Sequence, residues 1–201
     1  MKTENNHTEG VHDNSLWQSL KTGCSMSFGN IARLYYVNLL RYGMSLGFER
    51  DTVKDAIQNT FVYIWEHHET IGEVQNGKAY LFFALRNRLL RDNKKTKQEQ
   101  TFFNRLTNIK DVQGSIDMDW IENENDIEMH KSIQQTITKM PPREREVIQL
   151  RFYEGLDNEA IADIMGISKQ GVANLMVRTL KTFRMVWKEV TALFLPIFIG
   201  Y

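Results

Sequence analysis

The sequence predicts an all-α protein of two small helical domains joined by an acidic linker, and three observations carry that reading. Apolar residues recur three and four apart over residues 15–95, and no stretch alternates as a strand would. Charge is unevenly placed: residues 28–97 hold 11 Lys and Arg against 7 Asp and Glu, residues 98–130 hold 2 against 8, and residues 131–201 hold 10 against 7. The net charge of +0 therefore conceals an acidic middle between two mildly basic ends. Finally, residues 158–178 have the pattern of two helices joined by a tight glycine turn.

Residues 1–14 are polar and are expected to be a disordered lead. A first helix begins near Ser15, with Leu16, Trp17 and Leu20 apolar. A second is expected from about Phe28 to Tyr42, with Ile31, Leu34, Tyr35, Leu39 and Tyr42 inward and a break at Gly43 and Gly47. A third runs from about Asp51, taken as its cap, to His67, on a stripe of Val53, Ile57, Phe61, Ile64 and Trp65. Ile71–Gly77 is read as a loop. A fourth helix spans about Lys78–Asn93, with Tyr80, Leu81, Ala84, Leu85 and Leu89 inward, and ends in a basic run reaching Lys97. Residues 98–126 form the acidic linker, and the second domain occupies residues 127–187. There Pro141-Pro142 stops one helix and Arg143 starts the next.

The helix-turn-helix places its needs at the right offsets. Ala162 is small where the helices touch. Gly166 enters a left-handed turn without a steric penalty. Ser168 caps the next helix, and Val172, Leu175 and Met176 form its inner stripe. Lys169, Gln170, Asn174 and Arg178 remain on other faces. Gln and Asn can grip adenine, and Lys and Arg reach guanine or phosphate, so this helix is expected to read duplex DNA.

Several function classes find no support. With 42% hydrophobic and 25% charged residues, the composition is that of a soluble globular protein. The one cysteine, Cys24, cannot form an intramolecular disulfide, which fits a reducing cytoplasm. The 5 histidines are scattered and form no ligand set. The N-terminus has no apolar signal core, and no phosphate loop or nucleophilic triad is present. No cofactor, no metal and no catalytic residue is expected. The apolar tail, residues 188–201, is too short to span a bilayer, which takes about 20 residues. Pro196 is expected to break it, and packing on the domain is favoured.

The order of motifs resembles an extracytoplasmic-function sigma factor of bacterial RNA polymerase, of the sigma-70 family, over roughly residues 15–97 and 127–187. Asp55-Ala56-Ile57-Gln58-Asn59-Thr60-Phe61-Val62-Tyr63-Ile64-Trp65 looks like the signature of sigma region two. Residues 79–95, Ala79 to Lys95, are similar to the helix that meets melted promoter DNA. Met140-Pro141-Pro142-Arg143-Glu144-Arg145-Glu146-Val147 looks like the lead-in of sigma region four, with the helix-turn-helix behind it.

The resemblance implies a non-enzymatic initiation factor. Asp55, Gln58 and Asn59 share one helix face, and with Phe61 and Trp65 they would form the interface to core polymerase, at its β′ clamp helices. Region four would meet the β flap. The loop Ile71–Gly77 with Tyr80, Arg86, Asn87, Arg88 and Arg91 would hold the unpaired minus-ten element, and Lys94 and Lys95 would add phosphate contacts. Ser168, Lys169, Gln170 and Asn174 would read the minus-thirty-five element, with Arg178, Arg143 and Arg145 on phosphate. The family further implies promoter DNA and an anti-sigma factor, often membrane-anchored, as partners, with no membrane insertion by the chain itself. The family often has Thr where this chain has Gly171. A polymerase-independent helix-turn-helix regulator, or an adaptor on a sigma-like scaffold, remains open at this point.

Overall fold

The computed structural model describes residues 15–71, 74, 76–103 and 132–198, with side chains described as far as residue 91 in the first part and residue 187 in the second. The expected polar lead, most of the acidic linker and the start of the second domain at Ile127 lie outside these residues. Every element among the described residues is helical. The chain divides into two compact units, Met1–Gly114 and Ser115–Tyr201.

In the first unit α1 covers residues 15–21, followed by α2 (Ser25–Ser45), α3 (Arg50–Glu66) and α4 (Gly77–Phe103). Each of α2, α3 and α4 packs on the other two. The core is Ile31, Tyr35, Leu39 and Tyr42 from α2, Val53, Ile57, Phe61 and Ile64 from α3, and Leu81, Phe82, Leu85 and Leu89 from α4. Trp17 and Leu20 of α1 are buried as well. Trp17 meets Tyr80 edge-on at 5.7 Å, and the Gly77 backbone lies against the indole so closely that a Cβ there would overlap it.

Several local expectations need correction. Leu34 is 55% exposed rather than inward, because Ile31 and Tyr35 already fill that level of the core. Gly43 does not break α2. It lies inside the helix, buried, where a Cβ would collide with the Val53 side chain. The chain turns instead at Gly47, whose φ is +91°. Asp51 is not the cap of α3: Glu49 holds that position without a side-chain bond, and Asp51 accepts from Lys54 Nζ at 2.8 Å, one turn along. Gly77 belongs to α4 rather than to the loop, since the Asn76 carboxamide oxygen accepts from the Ala79 N–H at 2.9 Å and starts the helix one residue early. That helix continues past Asn93 to Phe103, into the stretch expected to be linker.

In the second unit α5 covers residues 132–138. Then come α6 (Pro142–Ile148), one π-helical turn (Gln149–Tyr153), α7 (Asn158–Met165) and α8 (Lys169–Phe198). Pro142 starts α6 at its first position, where a missing N–H costs nothing. Asp157 caps α7, accepting from the Glu159 and Ala160 N–H groups. Helix α7 ends at Gly166 with φ 64° and ψ 42°, and the Gly166 and Ile167 N–H groups donate back to its last carbonyls. Ala162 is buried, as are Ile161, Ile164, Met165, Val172 and Leu175, whereas Met176 is only half-buried. Helix α8 runs unbroken to Phe198, so the apolar tail starts as its continuation and Pro196 falls in its last turn, near the end of the helix. The packing of that tail lies outside the described side chains. Among the described residues no helix is long and apolar enough to cross a membrane.

The α2–α3 contact yields a test. Gly43→Ala should destabilise the protein by about 1–3 kcal/mol, the usual range for an overpacked core. Adding Val53→Ala should return part of that loss, because it removes the atoms the new methyl meets. Urea unfolding of the two single variants and the double variant reads the coupling directly.

Candidate nucleic-acid interface

Helix α8 buries Val172, Leu175 and Thr179 against α6 and α7. Gln170 and Asn174 are consequently turned outward and exposed, and the Gln170 Nε2 donates to the Asn174 Oδ1 at 3.1 Å. The pair thus presents two carboxamides already linked in one orientation, with donors and acceptors left over. Ser168 sets the start of this helix: its hydroxyl accepts from the Gly171 N–H at 3.0 Å. A Cβ on Gly171 would stand 3.2 Å from that hydroxyl oxygen, so glycine gives the cap room to close.

The cations near this pair have partners. Lys169 Nζ lies 3.2 Å from Glu159 Oε2, with both side chains exposed. Arg178 Nε donates to Glu144 Oε1 at 3.0 Å, tying α8 to α6. The Glu144 side chain is 5% exposed and that of Arg178 64%, and the second Glu144 oxygen has no partner. Arg145, half-buried, donates to the Thr138 carbonyl at 3.2 Å. Arg143 is exposed. Three of the cations expected on DNA are therefore held by the protein itself in this structure. The buried Glu144 escaped the sequence reading, since a carboxylate flanked in the chain by Arg143 and Arg145 gives no sign of turning inward. Lys181 and Arg184 were missed as well, although they continue the spacing of three and four that begins at Gln170, and both are exposed.

In the first unit Asp55, Gln58 and Asn59 are exposed along one side of α3, with Val62 beside them at 46%. Phe61, expected both on the inward stripe and at this interface, is in the core at 8% exposure, its ring edge-on to Phe28 at 6.0 Å. Trp65 is half-buried, 5.1 Å from Phe28 and stacked on His68. Two of the five residues proposed for that surface thus serve the packing beneath it, wholly or in part. On α4, Tyr80, Arg86, Asn87 and Arg88 are half-buried and Arg91 is exposed. Burial pushes the Tyr80 phenol up from its ordinary range. The side chains of Lys94 and Lys95 lie outside those described, as do Gly72, Glu73 and Gln75 of the loop.

The family model described as sigma-70, region 4 matches residues 130–183, which contain α5 to α7 and the first half of α8. The chain is 23% identical over 152 residues to the ECF RNA polymerase sigma factor SigL of Mycobacterium tuberculosis, covering 75% of this chain and 83% of that protein. Two solved structures share the fold. RpoE, a sigma factor crystallised with the anti-sigma factor NepR from Bartonella quintana, aligns with a TM-score of 0.66 at 19% identity, over 80% of this chain and 96% of that one. CnrH, in complex with the cytosolic domain of CnrY, aligns with a TM-score of 0.61 at 20% identity, over 88% and 97%.

The Arg178–Glu144 strap is testable on its own. Arg178→Ala should destabilise the protein by about 1–3 kcal/mol, by stranding a buried carboxylate. The exposed guanidinium keeps this below the cost of breaking a fully buried pair. Adding Glu144→Gln should recover much of the loss in thermal unfolding. Equal melting of the single and double variants would show that the pair adds nothing to stability.

Proposed function

The chain is an extracytoplasmic-function sigma factor of the sigma-70 family, and from that premise we propose how its surfaces divide the work of initiation. The exposed α3 face of Asp55, Gln58 and Asn59 docks on the β′ clamp helices of core polymerase. The second unit meets the β flap and reads the minus-thirty-five element through Gln170 and Asn174, with Ser168 and Lys169 at the groove. The segment ahead of α4, from Ile71 to Asn76, and the α4 residues Tyr80, Arg86, Asn87, Arg88 and Arg91 hold the minus-ten element as it opens. Lys94 and Lys95 follow the strand's phosphates. Nucleotidyl transfer belongs to the polymerase.

The observation that carries this reading is the linked, outward Gln170–Asn174 pair in the first two turns of a capped helix whose opposite side is buried. Such a helix end fits the major groove, which is about 12 Å wide, and carboxamides suit adenine there. Arg143 is open to phosphate. Arg145 and Arg178 would contribute by shaping the α6–α8 platform, and Arg178 by lending its exposed guanidinium edge.

An anti-sigma factor is part of the proposal, because RpoE, which shares this fold, was solved with one. Here it would cover the first unit's α3 face and the reading face of α8 until a signal releases them, and a membrane-anchored form suits that task. The chain would act in the cytoplasm.

Three variants separate the surfaces. Asn174→Ala should weaken upstream-element binding by about 1–3 kcal/mol, the range for one base contact, and leave core affinity intact. Asp55→Ala with Gln58→Ala should lower core affinity and spare duplex recognition, and unchanged core affinity would move the interface elsewhere. Arg88→Ala should slow the fluorescence rise of 2-aminopurine in the minus-ten element more than it weakens initial binding.

A further inference from the structure

Gln170, Asn174, Val177, Lys181 and Arg184 are spaced alternately four and three apart and are all exposed, so they form one continuous stripe along α8. The opposite side carries the buried Val172, Leu175 and Thr179. We propose that this stripe is a single nucleic-acid track, in which Lys181 and Arg184 bind backbone phosphates outside the bases that Gln170 and Asn174 read. The inference rests on the reading of α8 as the upstream-element helix and adds a second site to it.

Charge and length argue for that occupant. The cations at the head of the helix and on its flank are already engaged, Lys169 by Glu159 and Arg178 by Glu144. Lys181 and Arg184 make no ion pair or hydrogen bond among the described residues, so they are the positive charges on this stripe left for an anion. At 1.5 Å per residue, Lys181 lies about 16 Å and Arg184 about 21 Å beyond Gln170 along the axis. The major groove is only about 12 Å wide. A helix with its first two turns among the bases therefore carries these two side chains out past the groove, where only phosphate is within reach. Phosphate contacts fix register without reading sequence. Lys181 and Arg184 would thus strengthen binding equally at every promoter.

The test uses the full chain assembled with core polymerase and a promoter duplex selected by that holoenzyme from a random library. Equilibrium binding is followed against salt for the wild-type chain, for Lys181→Ala with Arg184→Ala, and for Asn174→Ala. Losing a phosphate contact makes the plot of log affinity against log salt shallower by about 0.9. The double variant should therefore lose about 1.8 from the slope while keeping its preference for the selected sequence. Asn174→Ala should keep the slope and lose the preference. Neutral methylphosphonate linkages at the phosphates flanking the upstream element should weaken the wild-type complex and leave the double variant's affinity unchanged. Equal slopes for wild type and double variant, with Asn174→Ala still losing preference, would overturn the track and leave the reading helix standing. A holoenzyme that selects no duplex would overturn both. A double variant that binds core polymerase less well but DNA with an unaltered slope would assign the stripe to a protein partner instead.

Discussion

A small helical unit can bury only one stripe of each helix, and the rest of this molecule follows from that constraint. On α3 the stripe is Val53, Ala56, Ile57, Thr60, Phe61 and Ile64. With those six turned inward, Asp55, Gln58, Asn59 and Val62 have only the outer face left. On α8 the stripe is Val172, Leu175 and Thr179, and Gln170 and Asn174 are forced outward by the same geometry. Function here is written on the faces that packing rejects. The hydrophobic stripe decides which polar residues a partner can meet, and at what angle. In the second unit that angle also depends on Gly166, since only its left-handed backbone lets α7 end and α8 leave at once in a new direction.

Electrostatics then sorts the basic residues into two groups. Some belong to the scaffold: Arg178 is held by a carboxylate that α6 buries, and Arg145 by a carbonyl at the end of α5. Others have no such duty. An arginine engaged by a buried acid keeps its place between binding events, and its free edge can be offered to a ligand already oriented. A lysine on an open face is less ordered but carries its whole charge to the encounter. A chain with a net charge of +0 can therefore still bind a polyanion, provided the acids are spent within the fold or gathered in another segment.

The sequence made the all-α class, the order of helices and the helix-turn-helix legible, because periodicity, a cap and a turn glycine are local. Ser168 and Gly166 each do what their positions implied, and Ala162 is buried. The misreadings have a common source in contacts between residues far apart in the chain. Gly43 resembles a helix breaker until Val53 is seen to occupy the space a side chain would need. Arg178 gives no sign in the sequence of its tie to Glu144, 34 residues earlier and 3.0 Å away. Asp51 and the start of α4 were misjudged for a smaller reason: Asn76 and Glu49 take the terminal positions one or two residues from where composition alone would place them.

Run-off transcription with core polymerase on a library of genomic fragments, with and without this chain, asks whether the chain supplies promoter specificity. Supply of promoter specificity predicts discrete transcripts that appear only when the chain is present and share spaced upstream and downstream elements. A transcript pattern identical to that of core polymerase alone, from a chain that still binds duplex DNA by itself, would contradict the account and make this protein a regulator that works apart from the polymerase.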